Sequence, residues 1–378
     1  MDKFELRAWV EIAVDRLQKN FALMNADKPA TVRIAAVLKD NAYGHGAVQA
    51  AKVAVEAGVA FVAVVTVNEA LELRKAGIKA PILMLGQRLP GELDECLAND
   101  LTCCLHDAEV TAILARKAEK RGVRARVHLE IDTGMSRYGA RWTEAAALAA
   151  KIAETPTLEL EGVMSHFAMS DELDKTFANL QRARFHEALD AMAARGIFPK
   201  IRHISNSGGF LDLADAHYDM VRTGILPLGV YPSKACRRIA GIAPVMSVKT
   251  RVAHIQHLQV GDKVGYGMRY TAIDRRRIAV LPIGYGDGFP RVRNEGAVLI
   301  GGKRAPLVGG VSMDAITVDI TEIPAAKLWD EAVIMGAQGA ETIDVHEVAA
   351  LKKSVSYDVL TNWRGRLRRV YVDSSAGS

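Results

Sequence analysis

The sequence predicts an α/β protein: an N-terminal (β/α)₈ barrel of TIM type followed by a C-terminal, mostly-β domain. Three observations carry this. Eight short apolar runs, rich in Val, Ile and Leu on both parities, alternate with helix-like stretches over about 240 residues, as parallel strands buried on both faces do. From about residue 241 the rhythm changes to strand-like segments with one clear helix. Between the two, Pro232, Gly241 and Pro244 punctuate a basic, irregular stretch at 232–244. The domains are therefore placed at 1–240 and 241–378. A doubly wound open sheet is the alternative, but no GxGxxG turn follows the first strand.

In chain order, an opening segment with Trp9, Ile12, Ala13, Leu17 and Phe21 on one face reads as an amphipathic helix. The strands follow at 32–38, 61–65, 81–85, 102–105, 124–131, 158–166, 200–205 and 219–223. Helical patterns fall between them at 46–57, 68–77, 108–121, 143–153 and 174–194. In the second domain, 246–258 and 276–285 are strand-like, and 297–320 contains Gly301-Gly302-Lys303, a hairpin turn. Residues 346–353 read as helix.

Composition bounds the function. Of 378 residues, 25% are charged and 49% hydrophobic, which excludes disorder and fibrous repeats. The net charge of +5 is too small an excess to argue for nucleic acid. The clusters Arg275-Arg276-Arg277 and Arg364, Arg366, Arg368 and Arg369 lack interleaved aromatic residues, and read as solvated faces or subunit contacts. Cys96, Cys103, Cys104 and Cys236 form no CxxC pair and no His cluster accompanies them, so neither a disulfide framework nor a metal site is expected. Met-Asp-Lys-Phe-Glu-Leu is not a signal pattern, and the apolar stretch 50–67 is interrupted by Lys52 and Glu56. A soluble, cytoplasmic protein without membrane partners is expected.

Barrel enzymes place their chemistry where strands end and loops begin. Lys39 directly follows the run Val32 to Leu38. Partial loss of water there lowers an amine's pKa and favours the neutral form that makes a Schiff base. Taken alone, Lys39 reads equally well as an exposed loop lysine. Asp132-Thr133-Gly134-Met135-Ser136-Arg137 follows the fifth strand, and Arg137 can grip a carboxylate bidentately. His166 ends the sixth; in isolation it is a satisfied core histidine. Asn206-Ser207-Gly208-Gly209 follows the seventh strand and Arg222-Thr223-Gly224-Ile225 ends the eighth, where such barrels bind phosphate. A reactive lysine, a phosphate cradle and a carboxylate clamp suggest a phosphorylated, aldehyde-bearing cofactor acting on an amino acid. Asp287-Gly288 is a turn signal rather than a metal site.

With these residues in view, the sequence resembles the alanine racemase family of pyridoxal-phosphate enzymes, fold type III. The resemblance begins with Ala36-Val37-Leu38-Lys39-Asp40-Asn41-Ala42-Tyr43-Gly44-His45-Gly46 and runs through Asp132-Thr133-Gly134-Met135, Ser165-His166-Phe167, Asn206-Ser207, Met220-Val221-Arg222 and Gly224-Ile225. It resumes with Val264-Gly265-Tyr266-Gly267, Gly284-Tyr285-Gly286-Asp287-Gly288 and Val311-Ser312-Met313-Asp314, and so covers nearly the whole chain in order. It implies pyridoxal 5'-phosphate on Lys39, its phosphate held by Tyr43, Ser207, Gly224, Ile225 and Tyr357, with Asn206 also among the cofactor-binding residues. Arg222 would face the pyridine nitrogen, with His166 beside the ring. Arg137 and the Met313 backbone would bind the substrate carboxylate. Tyr266, from the partner subunit of a homodimer, would be the second base opposite Lys39, and the D-alanine formed would serve peptidoglycan.

Where many relatives carry a carbamate-modified lysine, this chain has Glu130, which is expected to pair with Arg137. Gly310 replaces a frequent arginine, and Leu228 stands where an aromatic residue is common; both bear on the pocket wall. Within the same fold, a racemase of serine, lysine or arginine, or of broader range, is the alternative. Decarboxylases of this fold type typically present a cysteine from the β domain, and none follows Cys236 here. Non-catalytic cofactor carriers are a barrel alone.

Overall fold

The computed structural model describes residues 6–374. Eight parallel strands form its barrel: Arg33–Val37, Phe61–Val64, Ile82–Met84, Leu101–Leu105, Ala125–Asp132, Leu158–Met164, Ile201–His203 and Met220–Thr223. The first seven pair in sequence order, each with the next, and the eighth pairs with the first, with Arg222 opposite Ala35. The second strand is buried along its whole length, as its unbroken apolar run requires. The seventh and eighth strands lack a regular ladder. Asp219 N donates to Arg202 O at 3.0 Å and Arg222 N to Ser205 O at 2.9 Å, which leaves the barrel nearly closed.

The helices between the strands stop and start on local signals. Asp107 caps the helix Ala108–Arg121, its carboxylate accepting from Val110 N at 2.8 Å, and Gly122 ends it with φ of 64°. Thr66 and Glu69 form a capping box on the helix Val67–Lys75. The helices Leu93–Ala98 and Ser207–Asp212 are too short to show a clear sequence period.

The opening segment departs from expectation. Ala8–Ala13 is a strand, paired antiparallel with Met246–Arg251 and parallel with Arg368–Val372, and the helix begins only at Val14 and runs to Asp27. Trp9 and Val10 are both buried, so this strand is covered on both faces. A fully buried strand has no polar face, and its apolar residues fit a helical stripe equally well. Leu17 and Phe21 do lie buried on the helix.

Contacts divide the described chain into two compact units. One comprises residues 18–42 and 47–242; the other runs up to Leu17, takes in Tyr43–Gly46, and resumes at Ala243. In the second, a sheet runs Lys303–Pro306, Ala297–Ile300, Glu331–Gln338, Met246–Arg251, Ala8–Ala13, Arg368–Val372. The expected hairpin is there: Gly301 and Gly302, at φ of 58° and 73°, make the two-residue turn between Ala297–Ile300 and Lys303–Pro306. A smaller sheet joins His254–Leu258, Arg276–Leu281 and Ile316–Asp319 over Leu258, Val264, Ala272, Ile278 and Val308. Two helices, Val345–Lys352 and Ser356–Asn362, complete the unit. Asp287 accepts from Gly284 N at 3.0 Å and pairs with Arg7, fixing the turn at Gly288. Among the described residues no helix is long and apolar enough to cross a membrane.

Candidate active site

The first barrel strand delivers Lys39 into an unusual turn. Asp40, Asn41, Ala42 and Tyr43 have φ of 51°, 54°, 53° and 50°, a left-handed helical turn of four non-glycine residues. Such a backbone costs about 1–2 kcal/mol per residue and persists only where the surroundings over-determine it. Three hydrogen bonds do so: Ala42 N to Leu38 O at 2.8 Å, Ala47 N to Asn41 Oδ1 at 2.7 Å and Asp40 N to Glu69 Oε1 at 2.6 Å. The pKa of Lys39 is lowered, first by burial and then by the Arg137 charge, against the opposing pull of Glu69 and Asp40.

Arg222, near the end of the eighth strand, is buried, and its guanidinium is shared among five acceptors. Nη1 donates to His203 Nδ1 at 2.8 Å and His203 O at 3.1 Å; Nη2 donates to Ser165 O at 2.6 Å, His166 Nδ1 at 3.0 Å and Ile204 O at 3.3 Å. Burial pushes its pKa down to about 10, so it stays charged at neutral pH. A guanidinium has only donors, so both imidazoles must accept at Nδ1 and carry their proton on Nε2. His203 Nε2 then donates to His128 Nδ1 at 2.7 Å, and His128 Nε2 to Glu161 Oε2 at 3.3 Å. The result is a one-directional chain through the barrel interior, from Arg222 to a half-buried carboxylate. Burial, then the Arg222 charge, holds His166 and His203 well below the usual imidazole range; burial also lowers His128. Gly162 makes room for the chain, because a Cβ there would lie 2.8 Å from His128 Cε1 and 2.8 Å from Ile201 O.

At the loops after the last two strands, Gly224 N donates to Ser207 Oγ at 3.2 Å. Asn206 caps the short helix Ser207–Asp212, accepting from Gly209 N at 3.0 Å and from Ser170 Oγ at 2.7 Å. The adjoining Thr223 hydroxyl and Ile225 are buried, and Thr223 Oγ1 has no hydrogen-bond partner among the described residues. An orphaned polar atom beside a hydroxyl and glycine amides suits a bound polar group. In the other unit, Tyr43 and Tyr357 meet edge to face, ring centres 6.1 Å apart. Tyr266 and Met313 belong to that unit and are 79% and 51% exposed.

The expected Glu130–Arg137 pair does not form. Glu130 Oε2 lies 3.5 Å from His106 Nδ1, both side chains buried, and among the described residues no carboxylate pairs with Arg137. Glu130 sits inside the fifth strand, whereas Arg137 lies past its end on an exposed loop, and a glutamate arm does not bridge them. Both line a small cavity of about 10 Å³, room for a single water, together with His166. Sequence reading missed Glu69, His128, Glu161 and His203. Only Glu69 carried a local signal, the Thr66-x-x-Glu69 capping box.

Fold and site define a barrel enzyme centred on a lysine of depressed pKa. Residues 12–232 match the family model for the alanine racemase N-terminal domain, and 245–371 that for its C-terminal domain. The chain is 39% identical over 369 residues to alanine racemase of Symbiobacterium thermophilum, covering 97% of this chain and 98% of that one. It is 40% identical over 353 residues to that of Syntrophobacter fumaroxidans, covering 93% and 94%. Among solved structures, alanine racemase of Clostridium difficile 630 superposes with a TM-score of 0.94 at 32% identity, covering 98% and 97%. That of Bacillus anthracis with bound L-Ala-P gives 0.92 at 33%, covering 99% and 97%. The chain belongs to the alanine racemase family, and is an isomerase.

Proposed function

We propose that this chain interconverts L-alanine and D-alanine, with pyridoxal 5'-phosphate on Lys39 and with Lys39 and Tyr266 as the two acid–base groups. Its working form is a cytoplasmic homodimer in which Tyr266 and Met313 come from the partner subunit, and its product supplies peptidoglycan. The observation that carries the reading is the half-buried Lys39 amine, of lowered pKa, within electrostatic reach of His166 and Arg137. The donor set fits the cofactor: an aldehyde-reactive amine, a hydroxyl with glycine amides for a phosphate, and an arginine at the barrel's centre.

When bound, pyridoxal phosphate supplies the electron sink that makes an amino acid's α-proton removable. Inversion then needs an acid–base group on each face of the carbon. Lys39, its amine driven toward the neutral form, takes or returns the proton on one face; Tyr266 serves the other, removing it from the L-enantiomer. A tyrosine is a poor base near its ordinary pKa of about 10 and needs positive charge or hydrogen bonds beside it. His166 offers its Nε2–H, because Nδ1 is already engaged by Arg222. Arg222 can only donate, so it would keep a ring nitrogen unprotonated and temper electron withdrawal. Arg137, free of any carboxylate partner among the described residues, is available to a substrate carboxylate.

The test is incubation of the purified protein with pyridoxal phosphate and single L-amino acids in D₂O, following D-enantiomer formation and α-deuterium uptake. Fast conversion of alanine, with serine, lysine and arginine far slower, is expected. Preference for another amino acid would change the substrate; no exchange in a cofactor-loaded protein would overturn the reading.

A further inference from the structure

We propose that Glu69 is the positioning residue of Lys39: its carboxylate ties the left-handed turn that carries the lysine to the capped start of the helix Val67–Lys75. Glu69 Oε1 accepts from Asp40 N at 2.6 Å, while Oε2 accepts from Val65 N at 3.0 Å and Thr66 N at 2.9 Å. One side chain thus joins the loop after the first barrel strand to the loop after the second. The Asp40 amide is the one immediately following Lys39, in a backbone conformation that L-residues adopt only under constraint. A carboxylate taking three N–H donors is a strong restraint, because hydrogen bonds to an ionised group are about twice as strong as neutral ones. Its two oxygens divide the labour. Oε2 completes a capping box that the helix needs for itself; Oε1 reaches across to the lysine turn, which no capping role requires. The charge points the same way. Glu69 opposes the lowering of the Lys39 pKa, so one group sets both the aim of the amine and part of its field; Arg137, Asp40 and His166 are the other charged or titratable groups acting with Lys39.

The inference rests on the reading of Lys39 as the cofactor-bearing amine for its consequence in turnover, but not for the tether itself. Glu69→Gln is nearly isosteric and turns one acceptor oxygen into a donor. Thr66→Ala removes the hydroxyl that accepts from Glu69 N and leaves the carboxylate in place. Full-length proteins would be compared by amide hydrogen exchange of the segment after Lys39, without cofactor or substrate. The appearance of the visible band of the lysine–cofactor linkage on adding pyridoxal phosphate would be followed in parallel. Glu69→Gln is expected to speed exchange at 40–43 and slow the band by about tenfold, the loss of one charge-assisted bond. Thr66→Ala should leave both within about twofold of wild type. Glu69→Asp, which keeps the charge on a shorter arm, should behave like Glu69→Gln. With alanine, kcat should fall in the Glu69 variants while KM holds. Wild-type exchange and band formation in Glu69→Gln would overturn the proposal, as would the same defect in Thr66→Ala, which would reduce Glu69 to a helix cap. A tether confirmed by exchange in a protein that racemises nothing would leave this inference standing and sink the activity.

Discussion

Arg222 Nη1 donates to His203 Nδ1 over 2.8 Å, and that one direction sets the protonation of two buried histidines. Once His203 accepts at Nδ1, it must donate at Nε2 to His128, which in turn donates to Glu161. Replacing His203 by Leu leaves a buried guanidinium nitrogen and His128 Nδ1 short of partners. The expected loss is about 2–5 kcal/mol of stability, read as a lowered urea midpoint at constant slope. An unchanged midpoint would show that the chain carries no structural weight.

The same histidines make stability depend on pH in a defined window. His203, His166 and His128 have folded-state pKa values below the ordinary 6.5, so the unfolded chain binds more protons than the folded one as pH falls past 6.5. Their contribution is complete above that value and lost on acidification, by up to about 1.4 kcal/mol per pH unit for each histidine. Urea titrations from pH 7 to 5 should show the decline, and His128→Asn should flatten it. Stability that rises toward pH 5 would contradict the assignment.

Lys39→Ala should abolish the visible absorbance of the cofactor linkage and reduce racemisation by 10³-fold or more, about the scale of a lost acid–base group and worse. Retention of that absorbance would place the linkage on another lysine.

Tyr266→Phe should lower kcat by about 10²–10⁴-fold while leaving the bound cofactor's spectrum intact. If Tyr266 acts across a dimer, Lys39→Ala and Tyr266→Phe subunits, inactive apart, should regain about a quarter of the wild-type rate when mixed and reassembled. Failure to complement in verified mixed dimers would put both groups in one subunit's site.

Arg137 and Glu130 should separate in steady-state kinetics. Arg137→Ala is expected to raise the alanine KM by about 10–100-fold, the value of a charge-assisted carboxylate contact. Glu130→Gln, which alters a group beside His106, should change KM by less than about twofold. A large KM effect in Glu130→Gln would restore the direct pair.

The barrel was legible because strands buried on both faces are written as apolar runs of unmistakable length, and because Lys39, Arg137, His166, Ser207 and Arg222 stand where those runs end. The opening strand was not, since Trp9, Ile12 and Ala13 satisfy a helical stripe and a buried strand alike, and only pairing with Met246–Arg251 decides between them. Glu331–Gln338 and Arg368–Val372 were also missed, being defined by partners distant in sequence. The histidine chain left no local trace. A polar residue inside a strand has no periodic signature, and what makes His128 and His203 partners is the packing of the fifth strand near the seventh.

Gly162 makes one position in the barrel wall a record of how tightly the histidine chain is packed. Any side chain at 162 collides with both the His128 ring and the Ile201 carbonyl, so even alanine is excluded there. A smaller residue at 128 would relieve only the first of these contacts and would sever the link to Glu161, so the glycine is held by the backbone of the seventh strand as well. Sequences descended from this one should therefore keep glycine at 162 even where 128 varies, and a substitution at 128 marks a lineage in which Arg222 is anchored by other means.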